Sequence, residues 1–156
     1  MHKVKSPLAE DARKTTGAVL QDALIDLIDL GLVSKQAHWN LTGPNFRSIH
    51  LQLDEVVDLA RAHADVMAER AVAIGVNPDG RAHTVADRSK LHQLDSGYLQ
   101  DDKVVAAITD ILAEMIQRFR TRIEVTDDSD LVTQDLLISA TDDLEKQHWM
   151  FEVQRR

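Results

Sequence analysis

Residues 35–75 read KQAHWNLTGPNFRSIHLQLDEVVDLARAHADVMAERAVAIG. Thr42-Gly43-Pro44 breaks the segment near its start, and Gly75 begins a second breaker string that runs on through Val76-Asn77-Pro78-Asp79-Gly80. Between the breakers, at about 100° per residue, Ile49, Leu53, Val56, Ala60, Met67, Ala71 and Ile74 fall within about 40° of one another. This is the stripe of a helix that faces its own bundle. His50, Asp54, Asp58, Asp65 and Glu69 gather on a second face, roughly 100–200° away from Ile49. Leu51, Leu59, Ala62 and Val66 fill a third sector. A solvated acidic face is the plain reading of the second sector. The third argues against it, because a helix that is apolar on more than one flank is usually covered by more than its own bundle.

Working outward, helical patterns cover about Ala9–Trp39, Phe46–Ile74, Asp101–Val125 and Leu131–Val153. Leu20, Leu24, Leu27 and Ile28 mark the first; Val104, Ile108, Ile111, Leu112, Met115 and Phe119 mark the third. Thr84–Leu91 reads as a short helix with Thr84 as N-cap and Asp87 three residues on. Asp95-Ser96-Gly97 reads as loop, and Thr126–Asp130 as the break before the last helix. Four long helices with one longer connection between the second and third give an all-α fold, a ferritin-like four-helix bundle carrying a short helix in its crossover. Residues 1–8 are expected to be a mobile N-terminal tail and residues 9–156 the bundle domain.

Composition agrees. Six glycines and three prolines in 156 residues leave little room for the many turns of an all-β chain. No cysteine is present, so thiolate metal sites and cysteine nucleophiles are excluded. The formal charge of −8 makes the body a poor general binder of nucleic acid and a better partner for cations. No apolar run approaches the ~20 residues needed to span a bilayer. The N-terminus shows no signal-peptide pattern, and the cytoplasm is the expected location.

His38, His50, Asp54, Asp65 and Glu69 combine imidazole and carboxylate, the ligand types suited to Fe(II) and to its competitors Zn(II) and Mn(II). Asp54 and Asp65 stand about 16 Å apart on one unbroken helix, so one ion cannot take both from the same chain. A second copy related by a two-fold axis removes the difficulty. The His50/Asp54 end of one helix then faces the Asp65/Glu69 end of the other, and His38 joins the first pair. Each dimer acquires two identical sites of two histidines and three carboxylates.

The quoted segment resembles the signature region of the Dps family, the DNA-binding proteins of starved cells. The family pattern places His, His and Asp at intervals of 12 and 4, then Asp and Glu at 11 and 4; His38, His50, Asp54, Asp65 and Glu69 match every position. The likeness continues through DLVTQDLLISATDDLEKQHWMF near the C-terminus. It implies a homo-dodecameric hollow shell with ferroxidase centres at two-fold interfaces, two iron ions at each site, and mineral stored inside. Hydrogen peroxide is the expected oxidant, with dioxygen as the alternative. The resemblance also sets Trp39 beside the iron, where it would intercept oxidising equivalents. It assigns Asp127, Asp130 and Asp135 to a three-fold pore for iron entry. Helix capping is the alternative reading of that cluster. Leu131 stands where some relatives carry a further Asp.

The remaining candidates carry less. Glu145-Lys146-Gln147-His148 spells E-x-x-H, but bundles that use this motif internally need two copies, and only one is present; His148 is read as structural. His63 is expected to be a satisfied, partly buried histidine, Trp149 a packing residue, and His83 and His92 uninvolved. Lys3, Lys5, Arg13, Lys14, Arg155 and Arg156 supply terminal positive charge, so any DNA binding is expected to be weak, salt-sensitive and dependent on the tail. Three rival functions stay open at this point. They are a nucleoid-binding protein with a vestigial metal site, a metal-dependent hydrolase, and a purely structural bundle.

Overall fold

The computed structural model describes residues 4–155; Lys3 and Arg156, two of the terminal charges singled out above, lie outside the described residues. The chain runs α1 (Glu10–Asn40), β1 (Leu41–Thr42), α2 (Phe46–Ala73), α3 (Ala82–Arg88), β2 (Leu99–Gln100), α4 (Asp101–Thr126) and α5 (Leu131–Glu152). The helix pair α1/α2 packs on the pair α4/α5, with α3 in the crossover between them. This is the expected ferritin-like four-helix bundle. The α2 stripe read from the sequence is buried throughout, from Ile49 to Ile74. It meets Leu20, Leu27 and Leu30 of α1, Ile108, Met115 and Phe119 of α4, and Leu137, Leu144 and Phe151 of α5 in one continuous core. No described helix is long and apolar enough to cross a membrane.

Two details depart from the sequence reading. The short helix begins at Ala82 and ends at Arg88, earlier than expected, and Thr84 lies inside it. The reason is Asp79. Its carboxylate accepts the Arg81 backbone N–H (3.1 Å) and the Thr84 hydroxyl (3.0 Å), so the chain turns helical ahead of Thr84. The second departure is a pair of two-residue strands. Leu41–Thr42 runs parallel to Leu99–Gln100, and the Thr42 hydroxyl donates to the Leu99 carbonyl (3.2 Å).

That short bridge brings the α1–α2 turn against the start of α4, where Asp101 secures it. The buried Asp101 carboxylate accepts the backbone N–H of Asn45 (2.8 Å) and of Asp102 (2.9 Å). Gly43, at φ 131°, lets the turn pass beside it; a Cβ there would sit 2.5 Å from Asp101 Cγ. Elsewhere α1 is tied across the bundle by buried carboxylates. Asp26 pairs with Arg122 (2.6 Å) and Arg118 (3.3 Å) of α4, and Asp29 accepts from Gln93 (2.9 Å) and Ser89 of the crossover.

The turn yields a stability prediction. Gly43→Ala forces a side chain into a left-handed conformation and displaces the Asp101 carboxylate, which should cost about 1–3 kcal/mol. A lower thermal midpoint than wild type, measured at equal protein concentration, is the expected outcome. An unchanged midpoint would mean that the turn is not pinned as described.

Candidate metal centre

The α1–α2 seam assembles the densest group of potential metal ligands among the described residues. On α1, Lys35 and His38 are three residues apart; on α2, His50 and Asp54 are four apart. Both spacings put side chains on one face of their helix, and these faces meet. His38 Nδ1 lies 3.0 Å from the His50 carbonyl oxygen, and His50 Nδ1 lies 3.1 Å from the His38 carbonyl oxygen. The rings stack with centroids 3.6 Å apart, and Phe46 stacks on His50 at 4.9 Å.

With each Nδ1–H donated to the other residue's backbone, each Nε2 keeps its lone pair for a ligand. The reciprocal bonds orient both rings before any ion arrives. One potential ligand atom from each of His38, His50 and Asp54 lies within 4.8 Å of the others. Two imidazoles and one carboxylate, with other positions left open, suit a divalent transition metal and Fe(II) among them.

Asp54 already has a cationic partner. Lys35 Nζ lies 2.5 Å from its Oδ1. This hydrogen bond holds the carboxyl below the usual aspartate range; burial opposes the shift, and electrostatic attraction toward His38, Lys35 and His50 adds to it. Lys35 was not among the candidates named from sequence, although its place three residues before His38 marks it as sharing that face.

Asp65 and Glu69 are exposed and stand apart from this group in the single chain. Asp65 lines an apolar groove of about 330 Å³ formed by Leu24, Ile28, Gly31, Leu32 and Ala64, among others. Leu51 and Val66, from the third sector of α2, are also exposed. Trp39 follows His38 but is 66% exposed. Trp149 does not pack into the core as expected, being 60% exposed. It sits about 200° around α5 from the fully buried Phe151, which takes the inward position instead.

At the α4–α5 junction the three candidate pore residues separate. Asp127 and Asp135 are exposed, and Asp127 accepts from Gln134 (3.0 Å). Asp130 is buried and turned inward. It caps α5, accepting the Thr133 N–H (3.2 Å) and hydroxyl (2.5 Å), and pairs with Arg70 of α2 (2.6 Å). Burial alone would raise its pKa, but the Thr133 and Arg70 contacts outweigh it and hold the group low. Its carboxylate is therefore committed to the fold, as the capping alternative expected. His63 meets Asp143 at 2.9 Å and is partly buried. Glu145 of the E-x-x-H string is engaged by Arg120 (2.5 Å).

Comparison with known proteins adds an independent line. The Ferritin family, described as a ferritin-like domain, matches residues 17–156. A DNA protection during starvation protein of Agrobacterium fabrum is 34% identical over 153 residues, spanning 97% of this chain and 94% of the relative. Among solved structures, Mycobacterium smegmatis Dps in its tetragonal form superposes with a TM-score of 0.92 at 30% identity, covering 99% of this chain and 93% of that one. Dps from Microbacterium arborescens in its high iron form gives 0.91 at 29% identity, covering 96% and 97%.

The Asp130 arrangement predicts a defect in folding. Asp130→Ala removes the α5 cap and strands the largely buried Arg70 guanidinium, for an expected cost of about 2–4 kcal/mol. Because the native pKa is depressed, the carboxylate's contribution is complete above the ordinary aspartate value of about 4 and fades as pH falls through the native pKa. Urea denaturation at pH 7 and pH 3 should show the gap between variant and wild type shrinking in acid. A gap as large at pH 3 as at pH 7 would remove ionisation from the account.

Proposed function

The chain belongs to the Dps family of ferritin-like proteins, and from that premise we propose that it oxidises Fe(II) and stores the product as Fe(III) mineral. The reading assigns it a cytoplasmic dodecameric shell with a ferroxidase site at each end of the two-fold interface. Each site uses His38, His50 and Asp54 of one chain with Asp65 and Glu69 of the partner subunit. The observation that carries it is the seam cluster, where two pre-oriented imidazoles and a carboxylate from α1 and α2 converge.

Two features support the shared site. Asp65 and Glu69 lie too far along α2 to join the cluster of their own chain, at about 16 Å for the first of them. Asp65 also borders an apolar groove, with Leu32 exposed beside it, of the kind a second copy would cover. Two Fe(II) ions at one site supply two electrons. One hydrogen peroxide takes both with two protons and becomes two water molecules, so no hydroxyl radical is released. Dioxygen is the slower alternative oxidant in this reading. Carboxylates favour the harder Fe(III) product. Trp39 stands next in sequence to His38, ready to intercept a stray oxidising equivalent.

DNA protection, the property in the relative's name, then follows from removing Fe(II) and peroxide together. Direct DNA binding has a smaller part, because the net charge of −8 gives the body little attraction for phosphate.

A complementation experiment tests the shared site. His50→Ala and Asp65→Ala should each abolish rapid iron oxidation. In a mixed dimer of the two variants, one site receives intact His50 and intact Asp65, and the other lacks both. Stopped-flow oxidation should therefore reappear on co-assembly of two inactive proteins. Verified mixed dimers as inactive as their parents would refute a site built from two chains.

Iron entry is tested separately. Asp127 and Asp135 are proposed to draw cations to the three-fold pore. Replacing both with Asn should slow iron uptake severalfold while leaving metal binding at the interface intact. Unaltered uptake would reduce the pair to helix-end charges.

A further inference from the structure

The seam cluster contains a cation of its own. Lys35 Nζ lies 2.5 Å from Asp54 Oδ1, and that same oxygen is 3.3 Å from His38 Nδ1. The ammonium thus sits on the carboxylate oxygen that faces His38. It comes from α1, one turn before His38, so the helix that supplies one imidazole also supplies the competing charge. We propose that Lys35 is a resident counter-ion of Asp54 that an incoming divalent cation must displace, and that it thereby sets how tightly the site takes its first ion. This inference rests on the metal reading of His38, His50 and Asp54 given above.

Lysine is suited to such exchange. Its ammonium is a compact point charge on a flexible stem, without the planar two-point grip by which arginine holds a carboxylate. In the single chain the Lys35 side chain is 25% exposed and that of Asp54 40%, so the packing of their own bundle does not lock the ammonium onto the carboxylate. While it remains, it neutralises a carboxylate held beside two imidazoles. Once a divalent ion binds Asp54, the ammonium is a like charge a few ångströms away. Both effects, the ion pair to be broken and the repulsion afterwards, weaken the binding of the first ion.

A simple structural salt bridge makes the opposite prediction. If Lys35 only braced Asp54, removing it would loosen the ligands and weaken metal binding. If it competes, removing it tightens binding. A like charge about 6 Å from a divalent ion, even at the dielectric of water, corresponds to about a tenfold change in affinity.

The test is anaerobic titration of the intact assembly with Co(II), followed by the visible absorption of the bound ion. Lys35→Met keeps the approximate length of the stem without its charge, and Lys35→Gln keeps a polar head without charge. Both should bind Co(II) about tenfold more tightly than wild type, whereas Lys35→Arg should bind no more tightly than wild type. His38→Ala identifies which absorption belongs to the seam. Equal or weaker binding by Lys35→Met and Lys35→Gln, with the wild-type signal still abolished by His38→Ala, would overturn the role of Lys35 and leave the metal site standing. A wild-type signal untouched by His38→Ala would instead overturn the metal reading, and the inference with it.

Discussion

The register of α1 against α2 is the constraint on which the rest of the molecule depends. Four side chains from these helices meet at one seam, and each is useful only if the helices stop sliding at one position. A slip of one turn, about 5.4 Å, would carry His38 past His50 and Lys35 past Asp54. Two features fix that position. The Asp101 carboxylate clamps the connecting turn through the Asn45 N–H. The two imidazoles then close the seam by each bonding the other's backbone, so helix packing and ring orientation are decided together.

Carboxylates divide sharply between two kinds of work. Asp26, Asp29, Asp101 and Asp130 are buried, and each is hydrogen-bonded to another element or to the start of its own helix. They hold α1 to α4, the crossover to α1, the first turn to α4, and α5 to α2. Asp65, Glu69, Asp127 and Asp135 remain exposed on the outside of a single chain. Burying a charge is costly unless it is paired, so the first group cannot easily be lent to a cation. The acidic balance of the chain therefore overstates how many carboxylates are free to handle metal.

Much of this was legible in the sequence, for physical reasons that differ by feature. The α2 core stripe was readable because burial repeats with the helix period. The union of His38 with His50 and Asp54 was readable because a short turn makes α1 and α2 neighbours. What escaped was set by contacts distant in sequence. Nothing local in Leu41–Thr42 announces pairing with Leu99–Gln100, since two residues carry no alternation to detect. Asp130 could not be sorted from Asp127 by sequence, because its partner Arg70 lies 60 residues away on another helix. Thr84 looked like a cap because its own residue type favours one, while the group that organises the turn is Asp79, five residues earlier. Lys35 was hidden by its ordinariness; a lysine near a helix end looks solvated until its carboxylate neighbour is known.

The placement of the two tryptophans has an optical consequence. Trp39 and Trp149 are the only indoles in the chain, and both stand largely in water when the chain is alone. The hydrophobic core contains phenylalanines and aliphatic side chains but no indole. Intrinsic fluorescence therefore does not report on the interior, as it does in proteins with a buried tryptophan. Loosening the core would change the emission little, whereas covering the surface beside His38 or the outer side of α5 would shift it toward the blue. In this molecule the emission colour would register whatever covers those two outer surfaces, not the order of the core.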